Sequence, residues 1–229
     1  MCGRFTRTND FFSEHVAAHK LAEQLSLFEP LPPLPPSYNI APTQQIVAVR
    51  ADDHDRHELV WLRWGLVPGW ADDLSIGNRM INARSESVAT KPAFRHAFKR
   101  RRCLILADGF YEWQKTGKAK QPYFIQMKGS GPFCFAGLWE RWSKGDKPVE
   151  SCTILTTDAN ELMAPLHDRM PVIIPPESYN LWLDVAVQEP ERLLPLLRPF
   201  PDKDMVAYPV STLVNSPRNN APECIEPEH

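Results

Sequence analysis

Apolar residues in this sequence come in short runs, separated by turns that contain proline and glycine. Runs of this length, bounded by turn residues, are typical of β-strands and not of long helices. We predict strands over residues 46–49, 59–64, 103–107, 122–127, 133–138, 152–157, 172–174 and 205–210, and a turn followed by a strand within residues 108–113. The centre of the protein is therefore expected to be a β-sheet.

Helical patterns are fewer. Thr8 or Asp10 can cap a helix that continues to about Leu27 and has a rough apolar face. Shorter helices are predicted over residues 94–98, 177–183 and 190–197, and from a capping box at residues 158–161. No repeat or linker interrupts the pattern, so residues 1–229 are predicted to form one domain.

Proline makes up 23 of the 229 residues, about twice its usual share. This abundance favours loops and short strands over long helices. Prolines are densest in residues 29–36, which can form a stiff surface loop or a ligand for an SH3-like domain. Residues 211–229 are expected to be an irregular C-terminal tail.

The net charge and the cysteine pattern speak against some classes of function. The formal net charge is −2, so any site for a polyanion has to be a local basic face. The five cysteines are scattered without a CxxC pair, which speaks against a disulfide framework and a zinc site. No apolar run approaches the length of a membrane span, and no signal-peptide core is present. We therefore expect an intracellular protein without a metal, a cofactor or a membrane partner.

Cys2 becomes the N-terminal residue if the initiator methionine is removed, which its small side chain permits. It would then carry an α-amine and a thiol on adjacent carbons. Such an aminothiol condenses with an aldehyde to an imine, on which the thiol closes a five-membered thiazolidine. An α-amino group has a pKa of about 8, and a thiol is a good nucleophile where its neighbours favour the thiolate. The alternative is that position 2 merely tolerates cysteine.

Two further side chains are candidates for proton transfer. Glu112 lies between two aromatic residues, an apolar setting for a carboxyl, unless it simply faces solvent on an alternating strand. His167 stands beside Asp168 and Arg169 and precedes a predicted strand. It can therefore be an oriented proton donor or a structural histidine.

Candidate contacts for a nucleic acid are also present. Trp70, in a loop, can stack on a base or fold back on its own domain. Asn82 and Arg84 point the same way if their segment is extended. The cations of residues 99–102 either contact phosphates or interact with the C-terminus of the helix predicted before them.

Seven segments together resemble the SRAP family, whose name stands for SOS response-associated peptidase. The matching segments are Met1–Arg4, Tyr38–Thr43, Trp64–Pro68, Asn82–Arg84, Ala107–Trp113, Ala136–Glu140 and His167–Pro171. They occur in order and span residues 1 to about 174, with weaker similarity beyond. Ala71 departs from the pattern, because some members have a second tryptophan there.

The resemblance implies an α+β fold, a single domain with a curved, barrel-like, mostly antiparallel β core and peripheral helices. It implies binding of single-stranded DNA and a covalent thiazolidine cross-link to abasic sites. The implied catalytic residues are Cys2, Asn82, Glu112 and His167, and the implied DNA-binding residues are Arg4, Asn39, Pro42, Trp70, Arg84 and Arg169. No metal or organic cofactor is implied.

We therefore predict a monomeric abasic-site sensor of the DNA damage response, whose partner is single-stranded DNA that contains abasic sites. A minor lyase activity would follow where the imine is not closed. The expected location is the cytoplasm, at the nucleoid of a bacterium, or the nucleus of a eukaryote. One alternative is a thiol hydrolase that uses Cys2 with His167 as base, for example on its own N-terminus. Another is a non-catalytic reader of modified DNA that uses Trp70 and the arginines.

Overall fold

The computed structural model describes residues 2–8, 34–52, 54–117 and 119–228. Two predictions therefore lie outside the described residues: the helix that ends near Leu27, and the first part of the proline-rich segment. Within the described ranges, no helix has the length and apolar character needed to cross a membrane.

Each predicted apolar run is found in a strand. The strands are β1 (Phe5–Arg7), β2 (Ser37–Ile40), β3 (Gln45–Ala51), β4 (His57–Trp64), β5 (Asn82–Arg84), β6 (Arg102–Ala107), β7 (Gly109–Thr116), β8 (Ala119–Met127), β9 (Phe133–Trp142), β10 (Val149–Asp158), β11 (Arg169–Pro171), β12 (Ile173–Ile174) and β13 (Met205–Pro209). Strands β1, β2 and β5 are too short to give a periodic signal in the sequence.

Five of the strands close into a barrel. Strand β10 pairs with β4, which pairs with β3, then β6 and then β9, and β9 pairs again with β10. Only the pairing of β4 with β10 is parallel among these five. Strands β5, β11 and β12 extend the barrel at its edges. The prediction of an α+β fold with a barrel-like, mostly antiparallel core is confirmed.

A second sheet, in the order β13-β8-β7-β1-β2, is antiparallel throughout. Successive residues of the barrel strands alternate between two apolar cores. Leu104, for example, packs in the core that contains Trp182 and the helices. Its neighbour Ile105 packs in the core that contains Phe110 of the second sheet. The N-terminal strand β1 belongs to this second core.

Helices are short and peripheral. The α-helices of the described residues are α1 (Arg95–Arg100), α2 (Tyr179–Leu183) and α3 (Pro190–Leu193). The helix predicted from residues 158–161 is wrong, because Asp158 belongs to β10 and the chain that follows forms turns. Asn160 caps these turns instead, with its Oδ1 accepting a hydrogen bond from the amide of Met163 at 2.9 Å.

Arg102, the last residue of the basic run 99–102, is bound to backbone groups in the protein interior. Its guanidinium is buried and donates to five backbone carbonyls. The acceptors are the carbonyls of Phe98, Lys99, Trp182, Asp184 and Val187. Burial lowers the pKa of Arg102 to about 10, which leaves it charged at neutral pH. Within the run, Arg102 is therefore a structural residue that ties the end of α1 to the segment after α2.

We expect Arg102→Lys to lower the free energy of unfolding by on the order of 3 kcal/mol. Lysine offers three donors, so at least two of the five buried carbonyls would lose their partner. Urea denaturation followed by fluorescence measures the change. The matched control is Arg100→Lys on the exposed face of α1, which should stay within about 0.5 kcal/mol of the parent. Equal stability of the two variants would contradict the structural role.

Candidate active site

The N-terminal segment lies along strand β7. Phe5 stands opposite Phe110 in the antiparallel pairing of β1 with β7. The amide of Tyr111 donates to the carbonyl of Arg4 at 3.0 Å, so the contact between the two segments continues beyond β1. This alignment carries the chain toward Cys2 alongside the part of β7 that contains Glu112.

Asp108, in the turn before β7, fastens the other end of β1. Its carboxylate accepts hydrogen bonds from the hydroxyl of Thr6 at 2.5 Å and from the amide and hydroxyl of Thr8 at 2.5 and 2.8 Å. The Asp108 side chain is buried, so these bonds are shielded from water. The short strand β1 is therefore held at both ends.

Cys2 is buried in the core beneath the second sheet, with 0% of its surface exposed in the chain that carries Met1. Its carbonyl accepts a hydrogen bond from Asn82 Nδ2 at 2.8 Å. Asn82 is fixed in turn, because it begins β5 and pairs with Ile154 of the barrel. The other amide atom, Asn82 Oδ1, is buried and has no hydrogen-bond partner within the described residues. An acceptor is thus available beside Cys2.

The surroundings of Cys2 disfavour the thiolate. Burial, together with the negative charge of Glu112, raises the pKa of the Cys2 thiol to about 12. The Sγ atom also makes a long contact of 3.8 Å with the carbonyl of Arg4, which only the protonated thiol can donate to. The thiol is therefore neutral at physiological pH, and it needs a base when it reacts.

Glu112 is buried, with 5% of its surface exposed, so the alternative of a solvent-facing strand residue is wrong. Its Oε1 accepts from the amide of Trp113 at 3.3 Å. The electrostatic effect of Glu112 on the Cys2 thiol shows that the two side chains are near each other. Glu112 is therefore close enough to influence the charge state of the Cys2 thiol.

His167 ends a turn segment that reaches toward β7, where Gln114 Nε2 donates to the carbonyl of Pro165 at 3.3 Å. The ring atom Nδ1 lies 2.9 Å from the amide of Arg169 and 2.6 Å from a carboxylate oxygen of Asp168. One nitrogen cannot accept the first bond and donate the second at once. We favour the bond from the amide, because the Asp168 side chain is 84% exposed and such pairs are weak. This assignment leaves the proton on Nε2.

The two arginines predicted beside this site differ in their partners. The buried guanidinium of Arg169 binds both carboxylate oxygens of Glu86, and it lies 2.7 Å from an oxygen of Asp158. A phosphate contact by Arg169 stays a prediction, and it would require these ion pairs to open. The side chain of Arg84 is exposed and forms no hydrogen bond or ion pair within the described ranges. Its charge is therefore available to a ligand.

Arg4 and Asn39 hold the C-terminal segment against the site. Arg4 NH1 donates to Asn39 Oδ1 and to the carbonyl of Val214, both at 2.7 Å, and NH2 donates to the carbonyl of Asn215 at 3.2 Å. Asn39 is buried, and its Nδ2 donates to three carbonyls of the same segment. A direct role for Asn39 in shaping a DNA path stays a prediction, since its side chain faces the protein.

Trp70 is 56% exposed in the loop after β4, so it does not fold back into the core. Its carbonyl accepts from Lys144 Nζ at 2.7 Å, which fixes the loop backbone. Pro42 is half-buried after β2. Base stacking by Trp70 and a contact by Pro42 stay predictions that this exposure permits.

The structure thus brings Cys2, Asn82 and Glu112 into one cluster. Sequence reasoning missed the part played by Asp108, although its place in the Asp-Gly turn directly before β7 was a signal. It also missed the contacts that Arg4 and Asn39 make with residues 214–219. Nothing in the local sequence indicates that this distant segment packs there.

Comparisons with known proteins identify the family of this chain. The family model described as SOS response associated peptidase (SRAP) matches residues 1–217. The abasic site processing protein YoqW of Bacillus subtilis is 46% identical over 230 residues, which cover 99% of each chain. The abasic site processing protein HMCES of Gallus gallus is 36% identical over 225 residues, which cover 84% of this chain and 66% of that protein.

Solved structures with the same fold are also found. A protein from Bacteroides thetaiotaomicron superimposes with a TM-score of 0.83 and 26% identity, and the match covers 100% of both chains. A phage-related protein from Bordetella bronchiseptica gives a TM-score of 0.71 and 30% identity, over 91% of this chain and 94% of the other.

The raised thiol pKa gives a testable expectation. Alkylation of Cys2 by iodoacetamide should accelerate with pH throughout the range of roughly 7 to 10, because only the thiolate reacts. Glu112→Gln removes the negative charge, so the thiol pKa should fall and alkylation should be faster at each pH. Peptide mass spectrometry separates Cys2 from the other four cysteines, which are also buried. The control is Glu161→Gln, an exposed carboxyl. Identical pH profiles for Glu112→Gln and the parent would refute the coupling.

Proposed function

This chain belongs to the SOS response associated peptidase (SRAP) family, and we propose that it is an abasic-site sensor that forms a covalent thiazolidine with the lesion through Cys2. The coarser part of this proposal, a role with abasic sites in the response to DNA damage, is supported by the relatives that are named abasic site processing proteins. The finer part concerns the chemistry, and it is argued from the cluster around Cys2.

The observation that supports the proposal is that Cys2 is hydrogen-bonded to Asn82 and feels the charge of Glu112. After removal of Met1, the α-amine of Cys2 would lie next to the carbonyl that Asn82 holds at 2.8 Å. The buried Asn82 Oδ1, which lacks a partner among the described residues, can accept a hydrogen bond from that amine or from a sugar hydroxyl. A buried acceptor without a partner costs free energy, and a bound substrate would remove that cost.

The reaction begins with the open-chain form of the abasic sugar, which presents an aldehyde. His167, with its proton on Nε2, donates to the ring oxygen of the sugar as the ring opens. The Cys2 amine then adds to the aldehyde carbon and forms a carbinolamine. Loss of water from the carbinolamine gives the imine, with Glu112 and His167 transferring the protons.

Ring closure requires the thiol to lose its proton as sulfur attacks. Because the pKa of the Cys2 thiol is raised to about 12, closure depends on a nearby base. The Glu112 carboxylate takes the proton while the carbon–sulfur bond forms, and it returns the proton to the imine nitrogen. The balance is one aldehyde and one aminothiol giving one thiazolidine and one water. An imine that is not closed can undergo β-elimination, which would be a minor lyase activity.

The proposed DNA path uses the exposed groups around this cluster. Arg84 would contact a phosphate, since its charge has no partner within the described ranges. Trp70, more than half exposed, would stack on a base, with Pro42 shaping the path. Single-stranded DNA is the preferred form because the lesion can then reach Cys2 without opening a duplex. We further propose that residues 1–229 act as a single domain and as a monomer.

The rival proposal is a thiol peptidase, as the family name records. Its nucleophile would also be Cys2, with His167 as base. The neutral, buried thiol favours the aminothiol reaction, in which the amine attacks first and the thiol reacts only within the bound imine. A peptidase would instead need the thiolate for its first step.

The decisive experiment concerns the N-terminus. Retaining Met1, or placing a tag before Cys2, converts the amine into an amide that cannot form an imine. The stable adduct with an abasic oligonucleotide should then disappear, while DNA binding survives. Denaturing gel electrophoresis of the mature and Met1-retaining proteins measures the adduct. A heat-stable adduct from the Met1-retaining protein would overturn the proposal.

Two variants serve as matched controls in the same gel. Cys2→Ser and Cys2→Ala keep the amine and should form an imine that borohydride traps. Neither should give a stable adduct without borohydride, because oxygen closes the ring poorly and alanine not at all. A peptidase would behave differently: Cys2→Ala would abolish its turnover, and no aldehyde would be required.

A second prediction separates chemistry from binding. Glu112→Gln should slow cross-linking at saturating DNA by a factor of ~10² to 10⁴, the usual contribution of a positioned proton-transfer group. Affinity for the oligonucleotide should stay close to that of the parent, because Glu112 is buried. Rapid quenching on denaturing gels measures the rate, and fluorescence anisotropy measures the affinity. Cross-linking at the parent rate across neutral pH would show that Glu112 is structural.

A further inference from the structure

We propose that an open cavity beside the N-terminus binds a backbone phosphate of the DNA strand next to the lesion, and that Lys120 is a phosphate-binding residue there. The cavity has a volume of about 360 Å³ and is lined by Gly3, Arg4, Trp113, Lys120 and Asn215. This inference rests on the proposed function, since it takes the strand at Cys2 to be DNA. It adds Lys120, a residue that the family resemblance does not supply, to the contact that the resemblance implies for Arg4.

The charge of the lining is the first reason. Two cations, Arg4 and Lys120, line the cavity, and none of the residues that line it is acidic. Among the described residues, each hydrogen-bond acceptor of Arg4 is neutral, being an amide oxygen or a backbone carbonyl. The buried Arg169, by contrast, is neutralised by two carboxylates. The cavity therefore keeps a positive charge that an anion can neutralise.

The second reason is that the walls are fixed before a ligand arrives. Three hydrogen bonds to Asn39, Val214 and Asn215 hold the Arg4 guanidinium, and two of its five N–H donors have no acceptor among the described residues. On the other wall, Trp113 Nε1 donates to Asn215 Oδ1 at 2.7 Å. A fixed guanidinium loses little entropy on binding a phosphate.

Lys120 completes the cavity from strand β8. Its side chain is exposed, and it forms no hydrogen bond or ion pair within the part of the chain that the structure describes. Its opposite neighbour on β7 is Lys115, which is also exposed but does not line the cavity. The two lysines share one hairpin and one charge, so they form a matched pair for testing whether the cavity or the general field binds DNA.

The position of the cavity identifies the phosphate. Gly3 and Arg4 directly follow Cys2, and consecutive Cα atoms are about 3.8 Å apart. A phosphate bound there belongs to a nucleotide adjacent to the one whose sugar reacts. The ligand class is therefore the phosphodiester that flanks the abasic sugar on one side.

The test uses single-stranded abasic oligonucleotides in which one linkage at a time is a neutral methylphosphonate. In the parent protein, substitution of one linkage next to the lesion should weaken binding. Lys120→Ala should bind unmodified DNA more weakly, with a salt slope that is smaller by about 0.7, and should be insensitive to that same linkage. Lys115→Ala should behave like the parent at every linkage.

Adduct formation is measured in the same samples at saturating DNA, because Lys120 is separate from the reacting atoms. A parent protein that binds abasic DNA but forms no adduct would overturn the proposed function. A parent that forms the adduct while Lys120→Ala keeps full affinity and full linkage sensitivity would overturn only the subsite. An equal loss in Lys115→Ala and Lys120→Ala would also overturn it, since a diffuse field would then explain the binding.

Discussion

The carboxylate of Asp108 is the group on which the position of the N-terminal segment depends. Strand β1 has only three residues, so it forms few hydrogen bonds with its neighbours. Asp108 adds three, to the side chain of Thr6 and to the amide and side chain of Thr8. Hydrogen bonds to a charged group contribute about 1.5 to 3 kcal/mol each. Chain termini are poorly ordered unless they are tied down, and this anchor keeps Cys2 against Asn82.

The arginines form two groups. Some stabilise the fold through fixed partners, and the others have a charge that can bind a ligand. Arg169 is itself buried and is paired with two carboxylates, Glu86 and Asp158, whose side chains are at least half exposed. Arg102 is held by backbone carbonyls in the interior. Arg84 is exposed, and Arg4 is half-buried against neutral acceptors. Arginines that resemble one another in the sequence thus have different uses, which follow from the residues that surround them.

The strands could be predicted from the sequence because a strand that is buried on both faces gives a continuous apolar run, as residues 103–107 do. Cys2 and Glu112 could be proposed as candidates from the sequence because Cys2 follows Met1 and Glu112 lies between two aromatic residues. The partner of Arg169 could not be predicted, because Glu86 lies 83 positions away in the sequence. The neutral state of the Cys2 thiol could not be predicted either, because it follows from burial between two sheets and from the charge of Glu112.

The bond between Arg4 and the carbonyl of Val214 joins positions that are 210 residues apart. A ribosome adds about 5 to 20 residues per second, so the N-terminus waits on the order of tens of seconds before Val214 is synthesised. During this time the first residues are accessible to the cellular machinery that trims initiator methionine. The wall to which Val214 contributes can form only after that residue has left the ribosome. The removal of Met1 that the proposed function requires would therefore come before completion of the pocket.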